Sequence, residues 1–186
     1  AAWLPQVREI AWGLTVRDLV GLGRLPFGSL QKNDMHVEAA IIKMELSAFS
    51  DRIATQLSGG EQARVLIARA LAQDTSILMA DEPTASLDPA NQISTLKIFL
   101  ELAQDGRGIM SSIHDLGLAV RYCTKLALLD RGKLVAFGSA DEVLTPDNLQ
   151  SVFSIEAHYK KTKEGVIFQP LSVLKKSYKN LLGEIP

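Results

Sequence analysis

Cysteine is almost absent from these 186 residues: Cys123 stands alone, which excludes an internal disulfide and fits a reducing compartment. It falls in an apolar helical run, so a buried structural thiol is the expected reading. Neither charge sign dominates, with 20 Lys and Arg against 21 Asp and Glu. A net charge of −1 argues against nucleic acid as a bulk electrostatic partner. No apolar run reaches the length of a membrane span, and no charged-then-apolar leader opens the chain at Ala1. Internal repeats, low-complexity tracts and long heptad runs are missing too. His36 and His158 have no partner at a metal-site spacing. What is present is a 47% hydrophobic content in a chain of one-domain length, enough for a sizeable core.

The most informative segment is Leu57-Ser58-Gly59-Gly60-Glu61-Gln62. Ser58 followed three residues later by Glu61 is a capping box, in which each side chain satisfies the other residue's backbone N–H. Apolar residues at Val65, Leu66, Ile67, Ala68, Leu71 and Ala72 continue it as a helix packed into a core. Gly59 and Gly60 leave the first turn without side chains, so an anion can reach free N–H groups at the positive end of the helix dipole. Ile77-Leu78-Met79-Ala80 reads as a short buried strand ending in Asp81-Glu82-Pro83, with Asp81 twenty residues past Glu61. Ligands of parallel α/β sheets gather beyond the carboxyl ends of the strands. Alternation along extended chain predicts that the two acids point apart and hold different jobs. An acid in this place commonly holds a magnesium ion bound to nucleotide phosphates, while its neighbour polarises a water.

Together these segments resemble the ATP-binding cassette (ABC) family, whose signature motif reads LSGGQ and whose Walker B strand ends in Asp-Glu. Ala85-Ser86-Leu87-Asp88 resembles the family's D-loop. His114, after Gly108-Ile109-Met110-Ser111-Ser112-Ile113, matches its switch histidine, and Gln6, after Ala2-Trp3-Leu4-Pro5, its Q-loop glutamine. The resemblance runs to about Phe153. It implies an α/β fold: a P-loop NTPase-like layered core with a helical subdomain. The family's G-x-x-x-x-G-K-[ST] P-loop occurs nowhere in the 186 residues, nor does the upstream aromatic residue that stacks on adenine, and the chain begins at Ala1 rather than Met. The expectation is therefore a fragment lacking the N-terminal P-loop part, one that binds or hydrolyses ATP poorly by itself.

Residues 1–155 read as a partial ABC ATPase domain, with the helical subdomain over about 10–56, and 156–186 as a C-terminal extension. Within the first part, Ile10 to Gln56 reads as helical, broken by a Gly/Pro-rich stretch from Gly21 to Ser29 and resuming from Asp34 to Leu46. Asp88 with Pro89 starts a helix that stops at Gly106. Asp115 caps another through Tyr122. Leu126–Leu129 and Leu134–Phe137 flank Asp130-Arg131-Gly132-Lys133 as a β-hairpin. Short helices are predicted over Ala140–Leu144 and Pro146–Phe153. A second hairpin pairs His158–Lys161 with Gly165–Phe168. An amphipathic end helix would carry Leu171, Val173, Leu174, Tyr178, Leu181 and Leu182 with Lys175, Lys176 and Lys179 on a basic face.

The resemblance also implies roles. Two cassettes face each other head to tail in a homodimer, so Ser58, Gly59, Gly60 and Glu61 would serve ATP held by the partner. Asp81 would hold Mg2+, with Gln6 contributing through the nucleotide and sensing it. Glu82 would be the general base, His114 would orient the attacking water, and Asp88 would cross the dimer interface. Leu14-Thr15-Val16-Arg17-Asp18-Leu19-Val20 with Gly23-Arg24-Leu25-Pro26, and His114 through Cys123, look like the importers of iron-siderophore, haem and cobalamin. That branch implies transmembrane permease subunits, indirectly a periplasmic or lipoprotein substrate-binding protein, no nucleic acid, and a peripheral place on the cytoplasmic face of the membrane. Two alternatives stay open: a P-loop-less module that donates its signature motif in trans, and a non-transport cassette ATPase.

Overall fold

A computed structural model describes residues 1–6, 10, 13–28, 34–163 and 165–174, and divides the chain into two compact units, 1–113 and 114–186. The first unit begins with strand β1 (Ala2–Leu4). Helix α1 (Val16–Gly21) follows, capped by the Thr15 hydroxyl, which accepts from Asp18 N–H. A 3-10 helix over Leu22–Phe27 then fills most of the predicted Gly/Pro break and ends at Gly28, whose φ of 70° needs glycine's freedom. Helix α2 (Met35–Lys43) starts from the Asp34 cap. The expectation of helix from Ile10 to Gln56 is thus corrected: besides α1 and α2, the described residues of this stretch hold extended Thr15, the 3-10 helix over Leu22–Phe27 and, after α2, two 3-10 turns at Ser47–Phe49 and Ala54–Gln56. Extended Thr15 forms an isolated antiparallel bridge with Ile53, which no helix could make. The parts of that expectation at 7–9, 11–12 and 29–33 lie outside the described residues.

Helix α3 (Gly59–Leu71) carries the core of this unit. Good helix formers fill it, and Val65, Leu66, Ile67, Ala68 and Ala70 are all buried. It packs on α1, α2 and β1. Strand β2 (Ile77–Ala80) and helix α4 (Pro89–Gln104) follow, the latter opened by Asp88 with Pro89 in the first turn, as predicted. Its end is a Schellman motif: Gly106 N–H donates to Ala103 O and Arg107 N–H to Leu102 O, with Gly106 at φ 92°. Strand β3 (Gly108–Ser111) completes a parallel sheet in the order β1-β2-β3.

The register aligns Leu4 with Ala80 and Ala80 with Ser111. The ladder continues past the strand ends, where Asp81 N–H donates to Leu4 O at 2.9 Å and Ser112 N–H to Ala80 O at 3.1 Å. Three chain segments therefore leave the sheet side by side: Pro5-Gln6, Asp81-Glu82 and Ser112. This is the end of a parallel sheet where ligands collect.

In the second unit, Asp115 caps helix α5 (Leu116–Tyr122), accepting from Leu118 N–H. Strands β4 (Leu126–Asp130) and β5 (Lys133–Gly138) form the expected hairpin. Its two-residue turn has Arg131 at φ 47° and Gly132 at φ 76°, the sign pattern of a type I′ turn. A short helix at Ala140–Val143 is as expected, whereas Pro146–Phe153 splits into a brief α-helical turn and a π-helical turn. Strands β6 (Ile155–Thr162) and β7 (Gly165–Val173) make a longer hairpin than predicted. Ile155, Ala157, Tyr159, Val166 and Phe168 pack on a small core around Val120 and Val143. Leu171 and Val173 are strand residues, not the start of an end helix, because Val173 pairs with Ile155. The rest of that predicted helix, from Lys175, lies outside the described residues. Among the described residues no helix is long and apolar enough to cross a membrane.

Ile67 is 1% exposed at the centre of the first core. Replacing Ile67 by Ala is expected to destabilise this unit by about 2–5 kcal/mol. A lowered urea midpoint for its unfolding measures the loss; an unchanged midpoint would mean that α3 does not carry the core.

Candidate functional site

The loop entering α3 is held from both sides. Ser58 N–H donates to Glu61 Oε2 at 2.8 Å, the Ser58 hydroxyl donates to the same oxygen at 2.7 Å, and Glu61 N–H returns to Ser58 Oγ at 3.4 Å. The capping box read from the sequence is therefore complete. The Ser58 hydroxyl, and then its backbone N–H, hold the Glu61 carboxyl below its usual range. Behind the loop, the Gln62 side-chain amide donates to Leu57 O at 2.8 Å. Gly59 and Gly60 occupy the first two helical positions, whose N–H groups find no acceptor inside an α-helix.

The two glycines do different work. Around Gly59 there is open space, with nothing within 4 Å of where a Cβ would stand. A Cβ on Gly60 would lie 2.6 Å from Asn91 Nδ2 and closer still to its Oδ1. Asn91 belongs to the first turn of α4. There its N–H donates to Asp88 Oδ1 at 3.0 Å and its side-chain amide to Asp88 Oδ2 at 2.6 Å. Those donors, the backbone one first, draw the Asp88 carboxyl below its usual range. The second glycine thus lets the starts of α3 and α4 meet through Asn91, and the first leaves α3's N-terminus open. From the sequence alone, both glycines have the same task.

At the end of β2 the two acids part. The Ser112 hydroxyl donates to Asp81 Oδ1 at 2.7 Å, while Gln6 Nε2 donates to Glu82 Oε2 at 2.7 Å. Glu82 has φ 43° and Ser86 φ 60°, so the chain turns sharply after Asp81 rather than continuing extended. Glu82 N–H donates to Ser112 Oγ at 2.8 Å, and Gln92 Nε2 donates to Thr84 O at 3.3 Å, which fixes the turn from outside. A non-glycine residue at positive φ is strained, and such strain gathers at functional sites.

Gln6, Gly59, Gln62, Ala63, Ala85, Ser86 and Leu87 line one open cleft of about 330 Å³. Within the first unit, then, the sequence-predicted Gln6 meets Glu82, and Gly59 shares a cleft with Gln6 and the 85–87 turn. Gly60 reaches Asp88 through Asn91. His114 is the first residue of the second unit, exposed and one residue before the α5 cap. Cys123 is half-buried at the C-terminal cap of α5 rather than buried within a helix, and that partial burial pushes its thiol up. Asn91, Gln92 and Ser112 are contributors that sequence reading missed. Each acts through a contact with a loop whose path the local sequence does not give.

A magnesium ion suits the donor set. Asp81 offers hard carboxylate oxygens at the strand end, the ligand type this ion takes. No group of three or more His, Cys, Asp or Glu residues able to cage a metal occurs among the described residues. An ion shared between one carboxylate and phosphate oxygens requires no such cage.

Residues 1–85 match the family described as ABC transporter. The chain is 41% identical over 156 residues to a cobalamin import ATP-binding protein of Halobacterium salinarum, covering 82% of this chain and 39% of that protein. It is 40% identical over 161 residues to a hemin import ATP-binding protein of Pseudomonas putida, covering 83% of this chain and 63% of that one. It therefore spans about two fifths of the first relative's length and just under two thirds of the second's. Among solved structures, a transporter described as metal-chelate type, in an inward-facing conformation, superposes with TM-score 0.81 at 27% identity. That match covers 94% of this chain and 72% of the other.

Two tests follow from the helix starts. Gly60→Ala should displace Asn91 and lower stability by about 1 kcal/mol, the scale of a lost hydrogen bond. In an Asn91→Ala background the same change should be near neutral; equal costs in both backgrounds would contradict the contact. The second concerns pH. Because the folded-state pKa of Glu61 is lowered from its ordinary 4.5, its capping contribution is present above that value and lost as pH falls through the lower folded-state value. Urea midpoints from pH 6 to 3 should therefore fall less steeply for Glu61→Gln than for the parent; parallel profiles would contradict it.

Proposed function

Because the chain belongs to the ABC transporter family, we propose that it is part of an ATP-binding and hydrolysing importer subunit, which couples hydrolysis to uptake of an iron complex or cobalamin. Its fold is the P-loop NTPase-like α/β fold of these ATPases. The observation that carries the reading is the meeting of Gln6, Asp81 and Glu82 at one end of a parallel sheet, beside the open first turn of α3. The names of the two relatives support the substrate group.

In this reading Asp81 would hold Mg2+, which would draw charge from the phosphates, and Gln6 would contribute through the nucleotide. Glu82 takes the proton of the attacking water, and its bond to Gln6 links that carboxylate to the chain that enters the subdomain over about 10–56. His114 orients the same water. Gly59 and Gly60 present N–H donors at a helix N-terminus to the terminal phosphate held by a second copy; Ser58 joins them by turning its hydroxyl from Glu61 Oε2, and Glu61 keeps that turn in shape. Asp88 reaches across the dimer. Residues 1–155 form the partial cassette domain and 156–186 an extension. The partners are a second ATPase subunit, transmembrane permease subunits and, through them, a substrate-binding protein, with the subunit peripheral on the cytoplasmic face of the membrane.

A second reading rests on the sequence itself. The 186 residues contain no G-x-x-x-x-G-K-[ST], so the phosphate cradle must come from outside them. It can come from the same polypeptide or from a different subunit to which this one lends its signature turn. Hydrolysis by the purified full-length gene product alone supports the first; hydrolysis only after mixing with a second ATPase subunit supports the second.

Glu82→Gln in the full-length gene product should lower ATP turnover by at least about 100-fold, the lower end for loss of a general base. ATP affinity should stay within about threefold, since the phosphate and metal contacts remain. Turnover at the parent rate would remove Glu82 from the role of base.

A further inference from the structure

We infer that Ser112 is the positioning residue of the acid pair, setting the orientation of the metal-binding carboxylate and the backbone of the base through one hydroxyl. The inference rests on the proposed roles of Asp81 and Glu82. Ser112 stands just beyond β3, one residue past Ser111, which pairs with Ala80. Its backbone N–H donates to Ala80 O at 3.1 Å, which anchors it to the end of β2. From that anchor its hydroxyl makes two bonds of opposite sense.

The direction of each bond is fixed by chemistry. Glu82 N–H can only donate, so at 2.8 Å Ser112 Oγ must accept. An ionised carboxylate can only accept, so the hydroxyl proton must go to Asp81 Oδ1, at 2.7 Å. With one oxygen of Asp81 engaged, the rotation of the carboxylate is restricted and its remaining acceptor capacity stays available to a cation. Glu82 is held at φ 43°, a conformation that a non-glycine residue keeps only when its surroundings enforce it. A single hydroxyl therefore opposes both the rotation of Asp81 and the relaxation of Glu82. A hydrogen bond to a carboxylate is charge-assisted, which strengthens the first hold. Hydrogen-bond partners of metal ligands change metal affinity or activity by about 10–100-fold when removed.

Ser112 is exposed, so its truncation leaves the core intact. Threonine keeps the hydroxyl, and alanine removes it with little else. The test uses the purified full-length gene product with a non-hydrolysable ATP analogue and Mn2+ as probe, following free Mn2+ by electron paramagnetic resonance. Asp81→Asn is the control. In the parent, binding of Mn2+ should depend on Asp81. Ser112→Ala should weaken it by about 10-fold, and Ser112→Thr should keep it within about threefold of the parent. If Asp81→Asn leaves Mn2+ binding unchanged, the reading of Asp81 as metal ligand fails and this inference falls with it. If binding depends on Asp81 but Ser112→Ala equals the parent, the inference alone is overturned. Equal losses in the alanine and threonine variants also overturn it, since shape and not the hydroxyl would then matter.

Discussion

The pairing of three short parallel strands is the constraint on which the rest of the first unit depends. Each strand has only three or four residues, and their value lies in where they end. Register places Leu4, Ala80 and Ser111 in line, and two further backbone bonds carry that alignment onto Asp81 and Ser112. A one-residue slip in either pairing would turn the side chains over to the opposite face. Gln6 would then lose Glu82, and Ser112 would lose Asp81. The buried pair Leu78 and Ala80, inside the shared core with Leu4, resists that slip.

On this platform two helix starts are brought together. Helix α3 offers an open first turn at Gly59, and its next residue, Gly60, has no side chain where Asn91 sits. Helix α4 offers Asp88, already committed to the two donors of Asn91. Two glutamines, Gln62 and Gln92, tie the preceding loops through Leu57 O and Thr84 O. Backbone positions at the site are thus set by side-chain amides, while Asp81, with one oxygen on Ser112, keeps acceptor capacity for water or a metal. That division of labour is the physical content of the functional reading.

Much of this was legible in the sequence because it is local. The Ser58–Glu61 box, the Asp88-Pro89 start, the Gly106 stop and the Asp115 cap each need only a few neighbouring residues, and each stands as read. The ordered motifs, from Gln6 to His114, were also legible, through resemblance rather than geometry. Contacts spanning long stretches of chain were not. Ser112 meets Asp81 and Glu82 across about thirty residues, and Gly60 meets Asn91 across a similar gap. The positive φ of Glu82 carries no local signal, since glutamate does not favour it. At Leu171 and Val173 apolar spacing suggested a helix, but pairing with the chain near Ile155 made a strand, tertiary contact overriding local pattern.

In the proposed function the carboxyl end of the sheet and the first turn of α3 serve one nucleotide site, shared between two copies. A crystal structure of the full-length gene product with Mg2+ and a non-hydrolysable ATP analogue tests it most directly. The metal is expected beside Asp81, directly or through one water, and the terminal phosphate within about 2.7–3.2 Å of N–H donors at Gly59 or Gly60 of the facing copy. A nucleotide bound with its phosphates away from both elements would contradict it.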